Sequence, residues 1–77
     1  MLDSAKFGKA IQKIREDKKL SQEVVSGLAG IGRTHLSAIE RGERKPTLET
    51  FFKIAEAMDM KPSVLMAKIE NELDGFC

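Results

Sequence analysis

The sequence predicts an all-α domain, a compact bundle of five short helices. Three observations carry that reading. No segment alternates apolar and polar residues at period two, as a half-buried strand requires. Apolar residues instead recur at spacings of three and four along the chain. Helix starts and stops punctuate that pattern: Ser21, Thr47 and Pro62 read as starts, Gly30 and Gly42 as stops.

The first helix places Phe7, Ala10 or Ile11, and Ile14 on one face, with Asp3 or Ser4 as its cap. Lys18 and Lys19 close it, where positive charge suits a carboxyl end, and Leu20 drops into the core. Ser21 caps the second helix, with Glu23 in its first turn and Val24, Val25 and Leu28 as its inner face. Gly30 is the left-handed stop, Ile31 plugs the junction, and Gly32 caps the third helix. Leu36 and Ile39 face inward along that helix, with Glu40 beside them, and Gly42 ends it.

Pro46 keeps the charged loop Glu43-Arg44-Lys45 from continuing as helix. Thr47 caps the fourth helix, whose apolar set is Leu48, Phe51, Phe52, Ile54, Ala55 and Met58. That stripe is wider than one core face requires. Pro62 opens the fifth helix, capped near Lys61, with a seam of Val64, Leu65, Ile69 and Leu73. Residues 74–77 read as a frayed tail.

Size and charge narrow the function. A chain of 77 residues is one domain at most, with room for one thin core and none for a deep catalytic cleft. The formal net charge of +1 hides a split. Residues 1–45 hold ten Lys and Arg against six Asp and Glu, whereas residues 46–77 hold three against six. A basic front and an acidic back suit a protein that meets a polyanion with one end. The single cysteine, Cys77, allows no disulfide within the chain, and no Cys/His set has zinc spacing. Neither metal nor cofactor is expected. No apolar run is long enough to span a bilayer, and no signal peptide is legible, so the expected place is the cytoplasm.

Two short helices joined by Gly30-Ile31-Gly32 read as a helix-turn-helix, in which the second helix enters the major groove of duplex DNA. Arg33, Thr34, Ser37 and Ala38 lie off the apolar stripe of that second helix, with Arg41 near them. The stretch from Phe7 to Leu65 resembles the lambda-repressor-like, Cro/C1-type helix-turn-helix regulators, also called the XRE family. The residues that carry the resemblance are Ile11-x-x-Ile14-Arg15, Leu20-Ser21-Gln22-Glu23, Gly30-Ile31, Ile39-Glu40-Arg41-Gly42, and Pro46-Thr47-Leu48 followed by Ile54-Ala55. The run Arg33-Thr34-His35-Leu36-Ser37-x-Ile39-Glu40-Arg41-Gly42 is most similar to the controller proteins of restriction-modification systems. Departures from the family pattern are Ser26 for a small buried Ala, Lys19 for a Gly, Gly32 for a Ser or Thr cap, and His35 where controllers often carry Tyr.

The resemblance implies a five-helix fold and a dimeric transcriptional regulator, bacterial or phage-encoded. It implies that Gln22 clamps a phosphate at the start of the second helix, where free N–H groups favour an anion. It also implies an ion pair between Arg15 and Glu40, linking the first and third helices. Arg33 is the expected main base reader, because its fork matches guanine O6 and N7, with phosphate contact as the alternative. Thr34 can touch a base or a phosphate, Ser37 is well placed but short, and Ala38 allows close approach or a thymine-methyl contact. His35 reaches the sugar-phosphate backbone or a base, or fills space; alone it supports neither a metal site nor acid–base chemistry. Arg41, Arg44 and Lys45 are expected on flanking phosphates, with Lys6, Lys9 and Lys13 as weaker candidates.

One short helix reads few base pairs, so a homodimer on an operator with inverted repeats is expected. Phe52, Met58, Met60, Val64, Leu65 and Ile69 form the pool from which interface and core must both draw. Over promoter elements such a dimer would repress by exclusion, and just upstream it would recruit RNA polymerase; that one protein does both is what the resemblance to controller proteins implies. The competing readings are a phage or plasmid Cro-like repressor and an antitoxin-type protein whose apolar back binds another protein. An enzyme is not expected.

Overall fold

The computed structural model describes residues 2–73. Five helices follow in order: α1 (Ser4–Asp17), α2 (Gln22–Ala29), α3 (Arg33–Glu40), α4 (Leu48–Ala57) and α5 (Pro62–Glu72). Among the described residues there is no strand. The bounds follow local chemistry. The Asp3 carboxylate accepts from the Ala5 and Lys6 amides, the Ser21 hydroxyl from the Val24 amide, and the Thr47 hydroxyl from the Thr50 amide. Pro62 opens α5 behind Lys61, with no side-chain cap. Gly32 likewise offers α3 none.

Four helices end alike. The chain leaves each through a left-handed residue: Lys19 (φ 61°), Gly30 (φ 70°), Gly42 (φ 79°) and Asp59 (φ 58°). At each, the next residue's amide reaches back to a carbonyl of the last turn: Leu20 to Arg15, Ile31 to Ser26, Glu43 to Ala38 and Met60 to Ala55. Leu20, Ile31 and Met60 then pack against the core. Lys19 costs about 1 kcal/mol in that conformation, a burden glycine would not carry. Asp59 is a reversal that the sequence pattern does not announce.

The core is Phe7, Ala10, Ile11, Ile14, Val25, Ala29, Leu36, Ile39, Phe51, Ile54, Ala55, Met58, Leu65, Ile69 and Leu73. Phe7 and Phe51 meet at 6.1 Å between ring centroids, tilted by 41°. α2 packs on α4 and on α3, α1 on α3 and α5, and α4 on α5. α1 crosses the end of α3 so closely that a Cβ on Gly8 would fall against the Ile39 carbonyl and 2.6 Å from the Glu40 carbonyl oxygen. Gly8 is a packing glycine, not a turn.

Two sequence expectations need correction. α2 turns Val25, Ser26 and Ala29 inward, while Val24 and Leu28 are 45% and 69% exposed. A helix of eight residues shows one narrow face to its neighbours, and a small face lets α2 sit close to α4. The second correction concerns the interface pool. Met58, Leu65 and Ile69 are 1%, 0% and 0% exposed. They have no surface left for a second chain, because the α4–α5 corner closes over them. Phe52 and Val64 remain exposed and Met60 is half-buried. The expectation of a frayed tail at 74–77 lies outside the described residues.

Candidate nucleic-acid interface

α3 is anchored from behind and open in front. Leu36, Ile39 and Glu40 are buried, whereas Arg33 and Thr34 are exposed and His35, Ser37 and Ala38 half-buried. Its eight residues make a rod about 12 Å long. Thr34, His35, Ala38, Arg41, Glu43 and Arg44 line one shallow hollow on its outer side.

Behind the rod lies a buried polar cluster. Arg15 Nε donates to Glu40 Oε2 at 2.7 Å, and Nη2 donates to Oε1 at 3.1 Å. Arg15 Nη1 donates to the Leu20 carbonyl at 2.7 Å. The two side chains are 8% and 2% exposed. A two-point contact of this kind fixes angle as well as distance, so α1 sets the tilt of α3. No described buried side-chain nitrogen or oxygen lacks a partner. Gln22 joins the cluster: its Nε2 donates to Glu40 Oε1 at 2.9 Å. The side chain expected to hold a phosphate is thus oriented by the buried carboxylate, an arrangement that spacing alone did not suggest. One N–H of its amide remains to be shared, at the start of α2.

Ser26, buried in α2, donates its hydroxyl to the Glu23 carbonyl one turn back, at 3.3 Å. This satisfies the polar group that stands where a small apolar residue would pack more simply.

The loop after α3 holds a contact the sequence reading missed. Arg41 Nε and Nη2 donate to the two Glu43 oxygens, each at 3.0 Å. Arg41 Nη1 donates to the Ser37 hydroxyl. The hydrogen bonds and opposite charge hold Glu43 below the ordinary carboxylate range and raise Arg41 above its ordinary value. Opposite charges two residues apart across Gly42 were the only signal for it. Arg44 and Lys45 are exposed. Lys13 is engaged by Asp17 at 3.2 Å and Glu72 at 3.6 Å, which leaves it poorly suited to phosphate. Among the described residues no group of His, Cys, Asp and Glu has metal-holding geometry, and no helix is long and apolar enough to cross a membrane.

A short polar rod pinned by a buried ion pair and preceded by a three-residue turn defines a helix-turn-helix DNA-binding domain. The surface beside it is rich in hydrogen-bonding groups and carries the exposed cations such a domain uses.

The chain belongs to the helix-turn-helix (HTH_3) family, whose profile matches residues 11–65. It is 36% identical over 61 residues to the control protein C.BamHI of Bacillus amyloliquefaciens, covering 78% of this chain and 75% of that protein. It is 39% identical over 64 residues to an uncharacterized HTH-type transcriptional regulator, y4dL, of Sinorhizobium fredii, but there the match spans 78% of this chain and only 33% of the relative. Among solved structures it resembles the restriction-modification controller protein C.AhdI of Aeromonas hydrophila, with TM-score 0.77 and 38% identity over 82% of this chain and 96% of that one. It also resembles the controller C.Esp1396I, seen as a tetramer with its natural 35 base-pair operator, with TM-score 0.84 and 26% identity over 95% and 96% of the two chains.

Proposed function

We propose that this protein is a homodimeric, sequence-specific transcriptional regulator of the restriction-modification controller type, acting in the cytoplasm on an operator with inverted repeats. The carrying observation is the two-sidedness of α3, in which Leu36, Ile39 and Glu40 anchor the helix while Arg33, Thr34, His35, Ser37 and Ala38 face away from the core or lie half-open. Arg33 reads guanine through a two-point contact, Thr34, Ser37 and Ala38 supply shorter contacts, and His35 meets a base or the backbone. Gln22, Arg44 and Lys45 hold phosphates on either side and set register. Arg41 reaches the same backbone once released from Glu43.

Two copies place their rods about 34 Å apart, one turn of B-DNA. Phe52, Met60 and Val64 are the part of the interface pool that the monomer leaves available. Over promoter elements the bound dimer represses; just upstream it contacts RNA polymerase and activates. The likeness to C.BamHI, C.AhdI and C.Esp1396I supports the controller reading over an antitoxin.

Selection of bound duplexes from a random pool tests the proposal. The expected product is an inverted repeat whose half-sites lie one helical turn apart, with affinity that falls steeply as salt rises. Recovery of no common sequence, or binding indifferent to salt, would overturn it.

A further inference from the structure

Glu43 stands out among the four like helix endings. After Lys19, Gly30 and Asp59 the next residue is Leu20, Ile31 or Met60, and each packs on the core. After Gly42 it is Glu43, exposed and turned toward Arg41. The position is not loose. The Glu43 amide donates to the Ala38 carbonyl at 2.9 Å, and a Cβ on Gly42 would come within 2.7 Å of the Ala5 amide nitrogen. α1 and α3 therefore hold the loop, and the carboxylate reaches Arg41 from a fixed base. Glu43 also lines the same hollow as Thr34, His35 and Ala38.

Chemically, the carboxylate presents two oxygens to two parallel guanidinium N–H groups. A phosphate presents the same pattern. Arg41 is thus engaged before any DNA arrives, and its remaining arm lies on Ser37, a candidate base reader. We propose that Glu43 is an internal stand-in for a DNA phosphate: it occupies the Arg41 fork in the free protein, and duplex DNA binds there by exchange. The exchange sets a carboxylate free beside the phosphates, so Arg41 adds little net attraction for an arbitrary duplex. The device lowers affinity for unrelated DNA and leaves discrimination to the contacts of α3. This inference rests on the DNA-binding function proposed above.

The test compares the unchanged protein, Glu43→Gln, Arg41→Ala and the double variant on a mixed-sequence duplex about two helical turns long. Glu43→Gln should bind about three- to tenfold more tightly at low salt, with a salt slope steeper by about one. The gain should vanish when Arg41 is Ala. An unchanged slope, or an equal gain with and without Arg41, would overturn the proposal, because Glu43 would then act as a general surface charge or not at all. A second readout needs no DNA: the Arg41 Nε–H resonance should shift and exchange faster in Glu43→Gln. No change there means the fork is not held, and the proposal fails. If the resonance responds but no variant binds any duplex, the fork is held and the DNA-binding reading itself falls, taking the phosphate exchange with it.

Discussion

Arg15 Nε lies 2.7 Å from Glu40 Oε2, across 25 residues of chain and almost out of reach of solvent. This contact couples the scaffold to the reading helix, because α1 supplies the cation and the last residue of α3 supplies the anion. Removing one side strands the other charge in the interior. Glu40→Ala or Arg15→Ala should each cost about 3–5 kcal/mol in urea denaturation. Arg15→Met with Glu40→Leu should cost clearly less than the two single losses combined, since nothing charged is then left buried. Additive losses would mean that the two groups do not depend on each other.

Gly8 should tolerate no side chain. Its Cα faces the Ile39 and Glu40 carbonyls, so a methyl group there meets backbone, which cannot rotate away. Gly8→Ala should destabilise by about 1–3 kcal/mol, although alanine is the better helix former. Gly27, with open space around it, is the control. Gly27→Ala should be neutral or stabilising by up to about 1 kcal/mol. A thermal melt of each variant separates the two cases; equal shifts would remove close packing as the reason for Gly8.

The helices were legible because most of their starts and stops are written locally, the exit at Asp59 being the exception. Ser21, Thr47, Pro62, Gly30 and Gly42 act within one turn of themselves, and all five stand where the sequence reading puts them. Ser26 was legible for the same reason, since a buried hydroxyl in a helix has its own carbonyls to bond. The division of apolar residues was not. Leu28 and Val25 lie on one short helix with similar hydrophobicity, yet only the neighbours decide that one is open and the other closed. Leu65 and Val64 repeat the case on α5. In the candidate site, the row Arg33, Thr34, Ser37 and Ala38 follows from helical spacing alone. The Gln22–Glu40 contact depends on how two helix ends are brought together in space, which spacing does not encode. The Arg41–Glu43 contact is local, and the left-handed turn at Gly42 decides that the two side chains meet.

The corrected interface pool yields a sharp contrast. Phe52→Glu alters an exposed ring and should leave the fold intact, while sedimentation shifts from dimer toward monomer and operator affinity drops. Leu65→Ala opens a cavity in the core and should cost about 2–5 kcal/mol of stability, whatever the assembly state. If Phe52→Glu remains dimeric at the same concentration, the partner surface lies elsewhere than on this face of α4.

Arg33 and Arg44 should fail in different ways. Arg33 opens α3 and projects from its first turn, where a side chain reaches base edges; Arg44 lies beyond the helix, in the exposed loop. Arg33→Ala should relax the preference at one position per half-site and cost about 1–3 kcal/mol on the operator, with little effect on unrelated duplexes. Arg44→Ala should weaken all duplexes by a similar factor and reduce the salt slope by about one per protomer. Binding titrations on the selected operator, on single-base variants of it and on a mixed-sequence duplex distinguish the two patterns. Uniform weakening by Arg33→Ala would make Arg33 a backbone grip, and base discrimination would then have to come from Thr34, Ser37 and His35, which are shorter or less exposed.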